Sequence, residues 1–232
     1  MLKTVLVTGA NRGIGLELVK QYAQSGCTVL ACCRDPHHAL ELQRLSEAYS
    51  SIFIYLLDVS NEDHIKQLAT QLKNKTIDIL FNNAGIAGED HPVGSITYTD
   101  LISTLKINTI GPILLAQALE EQIVRSENKI IVNMSSVLAS IELNQDDSWC
   151  WLPYRISKSA LNSATRSLAN QLKSKGVIVI ALNPGWVKTD MGGENADITA
   201  EESVSGMMSI LETMSLEDSG KFHSYDGRQL PW

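Results

Sequence analysis

An α/β fold with a doubly wound parallel sheet is the architecture this sequence predicts, and three observations carry the prediction. Short β-branched runs are apolar almost throughout rather than alternating, as expected of strands covered on both faces. These runs alternate with helix-period segments in a βαβαβα series. Glycines cluster where the first run passes into the first helical segment.

The strands are expected at Thr4–Thr8, Thr28–Cys33, 52–57, 77–81, 129–134, 177–182 and a short 221–223. The helices are expected at Gly13–Gln24, 39–48, 62–73, 97–106 continuing to 124, 154–174 and 200–214. Right-handed crossovers put these helices on both faces of the sheet. Two loop-rich stretches, 138–153 and 185–199, follow strands and precede helices. Both therefore belong at the carboxyl edge of the sheet, where such folds bind ligands.

Composition narrows the classes. A chain of 232 residues with 44% hydrophobic content suits one domain with a full core, spanning 1–232. The net charge of −7 is spread out with no basic block, which argues against a nucleic-acid partner. Cys27, Cys32, Cys33 and Cys150 have neither metal-ligand nor framework spacing and read as buried free thiols of a reducing compartment. No His, Cys and carboxylate cluster suggests a metal. The first strand begins at once, leaving no room for a signal peptide, and no apolar run reaches the roughly 18–20 residues that span a membrane. The expectation is a cytoplasmic protein without membrane contact.

The turn Thr8-Gly9-Ala10-Asn11-Arg12-Gly13-Ile14-Gly15 follows a strand and opens a helix. Glycine there permits a tight turn and brings a phosphate close to N–H groups at a helix N-terminus. Leu18 breaks the literal G-x-G-x-x-G pattern; the spacing is T-G-x-x-x-G-x-G. The second strand ends at Cys33-Arg34-Asp35-Pro36. An acid at such a strand end holds a free ribose 2′-hydroxyl, and an arginine accommodates a 2′-phosphate. Asp35 before Pro36 reads as a helix N-cap with proline at the first helical position. That leaves Arg34, with Arg12 in reach, and two guanidiniums suit a phosphate dianion. NADP(H) is favoured over NAD(H).

Tyr154 and Lys158 stand four residues apart at the start of a helical segment, so they share one face. An ammonium beside a phenol favours the phenolate. Asp58-Val59 end the third strand, Asn82-Asn83-Ala84-Gly85 the fourth, Ser135-Ser136 the fifth and Asn183-Pro184-Gly185 the sixth; Asn108 lies within a helix. In this order, along almost the whole chain, the set resembles the short-chain dehydrogenase/reductase family. The ending Asp226-Gly227-Arg228-Gln229-Leu230-Pro231-Trp232 is similar to the branch holding the C-factor and sniffer-type carbonyl reductases.

The resemblance implies a single Rossmann-like domain of about seven strands in the order 3-2-1-4-5-6-7. It implies that Tyr154 is the general acid/base, that Lys158 lowers its pKa and holds the nicotinamide ribose, and that Ser136 rather than Ser135 holds the substrate oxygen. Asn108 would bend its helix and anchor a water leading to Lys158. Gly9, Asn11, Arg12, Gly13, Ile14, Gly15 and Arg34 would hold the phosphates. Asp58 and Val59 would flank the adenine. Asn83, Ala84 and Gly85 would line the cleft, and Pro184, Gly185, Val187 and Thr189 would border the nicotinamide. The implied activity is NADPH-dependent reduction of small or medium aldehydes and ketones, reversible as alcohol oxidation. A non-catalytic NADP-binding signalling protein is the alternative. Family members associate as dimers or tetramers, here through 112–124 and 154–173, the latter carrying Ala160, Leu161, Ala164 and Leu168.

Other readings are local. Trp149 and Trp151 either wall a substrate pocket or pack their loop, and Trp186 is the better pocket candidate. Residues 188–199, with Gly192-Gly193, suggest an open, mobile cover. His37, His38 and His91 read as loop residues, and Glu194 and Asp197 as solvated charges.

Overall fold

A computed structural model describes residues 3–89, 94–145 and 151–232. Its sheet contains β1 (Thr4–Thr8), β2 (Thr28–Cys33), β3 (Ile52–Leu56), β4 (Ile79–Asn82), β5 (Ile130–Met134), β6 (Ile178–Asn183) and β7 (Phe222–Ser224). All seven run parallel in the order β3-β2-β1-β4-β5-β6-β7. The order reverses between β1 and β4, whose carboxyl ends part there and leave a crevice.

The helices are α1 (Gly13–Gln24), α2 (Leu40–Ala48), α3 (Glu62–Gln71), α4 (Tyr98–Leu105), α5 (Gly111–Ala118), α6 (Glu120–Val124), α7 (Leu152–Leu172) and α8 (Ala200–Thr213). Alternation along the strands divides the core. Val5, Val7, Val29 and Ala31 face one way and pack with Leu18, Leu42, Val204 and Met207 of α1, α2 and α8. Leu6, Leu30, Leu80 and Val179 face the other way, toward Ile65, Leu115 and Leu172 of α3, α5 and α7. The central strands are thus apolar on both faces, which is why their sequences do not alternate.

Several boundaries differ from expectation. α7 starts at Leu152, because Pro153 is tolerated in a first helical turn. Asp35 caps no helix: α2 begins at Leu40, and the Asp35 carboxylate instead accepts from His38 N at 3.3 Å and approaches His38 Nδ1 at 2.6 Å. The long helix from residue 97 is interrupted by one π turn, Lys106–Ile110, centred on Asn108. Its 21-residue run Tyr98–Ala118, which holds an 18-residue window of mean hydropathy 1.2, does meet the length and composition of a membrane span, contrary to expectation. It packs against α7 and α3 and buries Thr104, Asn108 and Thr109, the signature of a core helix. The expectations for His91, Trp149 and Cys150 lie outside the described residues. Cys27, Cys32 and Cys33 are buried free thiols, as read.

Candidate active site

One cleft runs across the carboxyl edge where β1 and β4 separate. Gly9, Asn11, Arg12, Gly13, Ile14, Gly15, Arg34, Asp58, Val59, Asn83, Ala84, Gly85, Tyr154, Lys158, Pro184 and Thr189 all line it. Of the expected ligand-binding residues, Gly185 and Val187 do not line it. Gly185 is backed by Tyr225 and Ile198, and Val187 is buried where it pairs with Ile198 at the base of the following loop.

The glycine turn is built so that backbone fills one side of the cleft. Gly9 and Gly13 have φ of +65° and +54°, which favour glycine. A Cβ on Gly15 would lie 2.1 Å from Gly9 O, so no side chain fits there. The N-terminus of α1 has no side-chain cap and no acid in its first turn, leaving its N–H dipoles open to an anion. Thr8 holds this turn to β4: its Oγ1 accepts from Asn83 N and Ala84 N, both at 3.0 Å, and donates to Phe81 O at 3.2 Å. Asn83 Nδ2 returns a bond to Thr8 O at 2.8 Å.

Next to the turn, Cys33 and Arg34 form the wall. Burial pushes the Asp58 carboxyl up, but two hydrogen bonds from Ser60 and the Arg34 charge outweigh it and hold the group below the ordinary range. Arg12 is drawn toward the opposite lip, where its Nη1 lies 2.6 Å from Asp190 Oδ2 in an exposed ion pair. Asp190 and its neighbour Met191 line the cleft, though no spacing in the sequence pointed to them.

At the other end, Tyr154 and Lys158 project from the first turns of α7. Lys158 is buried and donates to Met134 O at 2.6 Å. Its Nζ lies 5.6 Å from the Tyr154 ring centroid. Burial holds the ammonium down to about 8. Burial also pushes the Tyr154 phenol up to about 12, with only a hydrogen bond from Ser136 pulling the other way. Burial therefore dominates at both groups, pushing the phenol up and the ammonium down. Ser136 accepts from Leu138 N at 3.2 Å and bonds Tyr154, whereas the Ser135 hydroxyl turns away to Asn162. Ser135, not Ser136, is nevertheless among the residues that line the cleft.

Asn108 is fully buried inside the π turn, which aims its amide at two neighbours. Oδ1 accepts from Ile86 N at 2.9 Å, and Nδ2 donates to Ile86 O at 2.8 Å and to Ser157 Oγ at 2.9 Å. A Cβ on Gly85 would come 3.2 Å from Asn108 Oδ1 and 3.5 Å from Lys158 Nζ, so Gly85 leaves room for both groups. Asn183 fixes the Ser136 turn by accepting from Val137 N at 3.0 Å.

Some sequence-predicted residues stay apart. Trp186 is half-exposed and donates Nε1 to Gly192 O at 2.8 Å, folding onto its own loop rather than the cleft. That loop is not open at its base: Lys188 N bonds Ile198 O at 2.9 Å and Gly193 N bonds Thr189 O at 2.8 Å. Trp151 precedes α7 and does not line the cleft. His37, His38, Glu194 and Asp197 are exposed, as read.

The family model described as short chain dehydrogenase matches residues 3–199, most of this chain. The chain belongs to the short-chain dehydrogenase family. Among solved short-chain dehydrogenase relatives, NADPH-bound carbonyl reductase from chicken fatty liver is 37% identical, with TM-score 0.94 over 100% of this chain and 99% of its own. The carbonyl reductase Sniffer of D. melanogaster is 34% identical, with TM-score 0.92 over the whole of both chains. C-signal of Myxococcus xanthus is 34% identical over 168 residues, 72% of this chain and 100% of that protein. As a short-chain dehydrogenase, the chain is an oxidoreductase by family.

Proposed function

We propose that this chain is an NADPH-dependent carbonyl reductase acting on small or medium aldehydes and ketones. The observation that carries the reading is that Tyr154 and Lys158, with Ser136 beside Tyr154, stand at one end of a cleft whose other end is a glycine turn with no room for a Cβ at Gly15. The cradle fits a dinucleotide: an uncapped helix N-terminus for the pyrophosphate and Arg34 and Arg12 for a 2′-phosphate. Bound NADPH would supply the hydride.

The protein's own groups handle the charge that then grows on the substrate oxygen. Ser136 donates a hydrogen bond to that oxygen, and Tyr154 delivers its proton to it. Burial favours the protonated phenol, which suits a donor in the reductive direction. The Lys158 ammonium stabilises the phenolate left behind, and Met134 O holds it in place. Asn108 holds the Ile86 peptide and Ser157 beside that lysine.

The domain spans 1–232, and association of copies through α5 and α7 belongs to the same reading. Leu161 is fully buried and Leu168 packs on the sheet, which leaves Ala160 and Ala164 for a partner. The C-signal relative favours a signalling role as the second reading. Against it, a binder without turnover has no use for a tyrosine set beside both Ser136 and Lys158. The test is NADPH oxidation across aldehydes, ketones and quinones, repeated with NADH. Turnover preferring NADPH supports the proposal. Absence of turnover with every carbonyl sinks the catalytic reading, and an NADH preference sinks the role given to Arg12 and Arg34.

A further inference from the structure

The end of β5 is tied to α7 by consecutive residues. Asn133 Nδ2 donates to Thr165 Oγ1 at 2.8 Å. Met134 O accepts from Lys158 Nζ at 2.6 Å. Ser135 Oγ donates to Asn162 Oδ1 at 2.6 Å, and Ser136 bonds Tyr154. Tyr154, Lys158 and Asn162 recur every four residues and so share one face of the helix.

A helix packed on a sheet normally turns an apolar stripe inward. The second half of α7 does so with Ala169 and Leu172, but the first half presents this polar seam. Asn162 and Ser135 are 4% and 2% exposed. Asn162 does not line the cleft, and its Nδ2 has no hydrogen-bond partner among the described residues. A leucine there would bury more apolar surface and leave no unpaired donor, so packing alone does not explain an asparagine. Buried polar pairs do fix register, because a slide of one element leaves them unpaired.

We propose that Asn162, through Ser135, is a positioning residue that sets the register of α7 on β5 and thereby holds Tyr154 against Ser136 and Lys158 against Met134. The proposal rests on the catalytic reading above. The reason is connectivity: the Ser135 residue lies between the carbonyl that anchors Lys158 and the serine that meets Tyr154. Moving α7 by one residue, about 1.5 Å, breaks both contacts at once.

The experiment pairs Asn162→Leu with Ser135→Ala, each removing the same hydrogen bond. Asn162→Leu is expected to melt near or above the wild type, whereas Ser135→Ala, which leaves the buried Asn162 amide unpaired, should melt somewhat lower; both should keep the NADPH dissociation constant, measured by cofactor fluorescence, within about twofold. Both should lose kcat on the order of 10²-fold, the effect of displacing a reacting group by about 1 Å. The double variant should be no worse than either single one. Without cofactor or substrate, the Lys158 Cε resonance of ¹³C-lysine-labelled protein should titrate nearer the ordinary lysine range in each variant. If Asn162→Leu fails to fold, Ser135→Ala carries the test. Wild-type kcat together with unchanged Lys158 titration overturns the proposal, as do independent, multiplying losses in the double variant. If the wild type itself reduces no carbonyl, the catalytic reading falls, and the Lys158 titration alone decides whether Asn162 sets the register.

Discussion

At the β1–α1 end of the cleft one continuous turn offers a ligand mainly backbone, with the Arg12 and Arg34 side chains beside it. At the β5–α7 end they are side chains drawn from β5, α7 and the π turn before α5. The first end works by leaving space: Gly15 admits no Cβ, and the α1 terminus carries no cap. The second works by filling it, with Lys158, Asn108, Ser135 and Asn162 all buried and bonded to one another's elements. Backbone donors bind whatever anion fits and are indifferent to which side chains surround them. A buried network depends on each member, since an unpaired buried polar group is costly.

The two ends should therefore fail differently. The largest expected effect is Tyr154→Phe, which removes the proton donor. It should lower kcat for carbonyl reduction by about 10²–10⁴-fold with cofactor affinity retained, checked by turnover beside a fluorescence titration of NADPH. A comparable loss of NADPH binding would show that the two ends are not separable. Next comes Gly15→Ala, which sets a methyl group 2.1 Å from Gly9 O. Overpacking of this kind costs about 1–3 kcal/mol. The NADPH dissociation constant should rise about tenfold or more, while the Lys158 titration at the other end stays as in the wild type. The smallest is a pH effect. Lys158 loses its proton near pH 8, because burial holds its pKa down to about 8. Reductive kcat should be flat on the acid side and reach half its plateau at about pH 8. Tyr154 stays protonated throughout that range. A rate that keeps rising through pH 9 would assign the limb to another group.

Legibility in the sequence follows the same division. The turn from Thr8 to Gly15 is local, so its spacing announced the cradle, and the strand-ending Asp58, Asn83 and Gly85 fell on the cleft as expected. Tyr154 and Lys158 were legible as an i,i+4 pair on one helix. Asp190, Met191 and Asn162 were not, because each acquires its role from an element distant in sequence: Arg12 for Asp190 and Ser135 for Asn162. Asp35 misled because its cap signal is satisfied within a four-residue turn, at His38, before the helix starts. Trp186 misled because its indole N–H found a carbonyl in its own loop.

By itself the sequence determined the parallel sheet, the glycine turn and the tyrosine that shares a helix face with Lys158, because strand burial, glycine turns and helix faces are properties of short stretches of chain. The tertiary structure alone decided how strongly burial acts on that phenol and on the lysine beside it. Whether a phenol four residues from a lysine is held up or down depends on how much water and which neighbours remain once β5 and α7 have closed on it. Here burial pushes the phenol up, Ser136 pulls only partly the other way, and burial holds the Lys158 ammonium down.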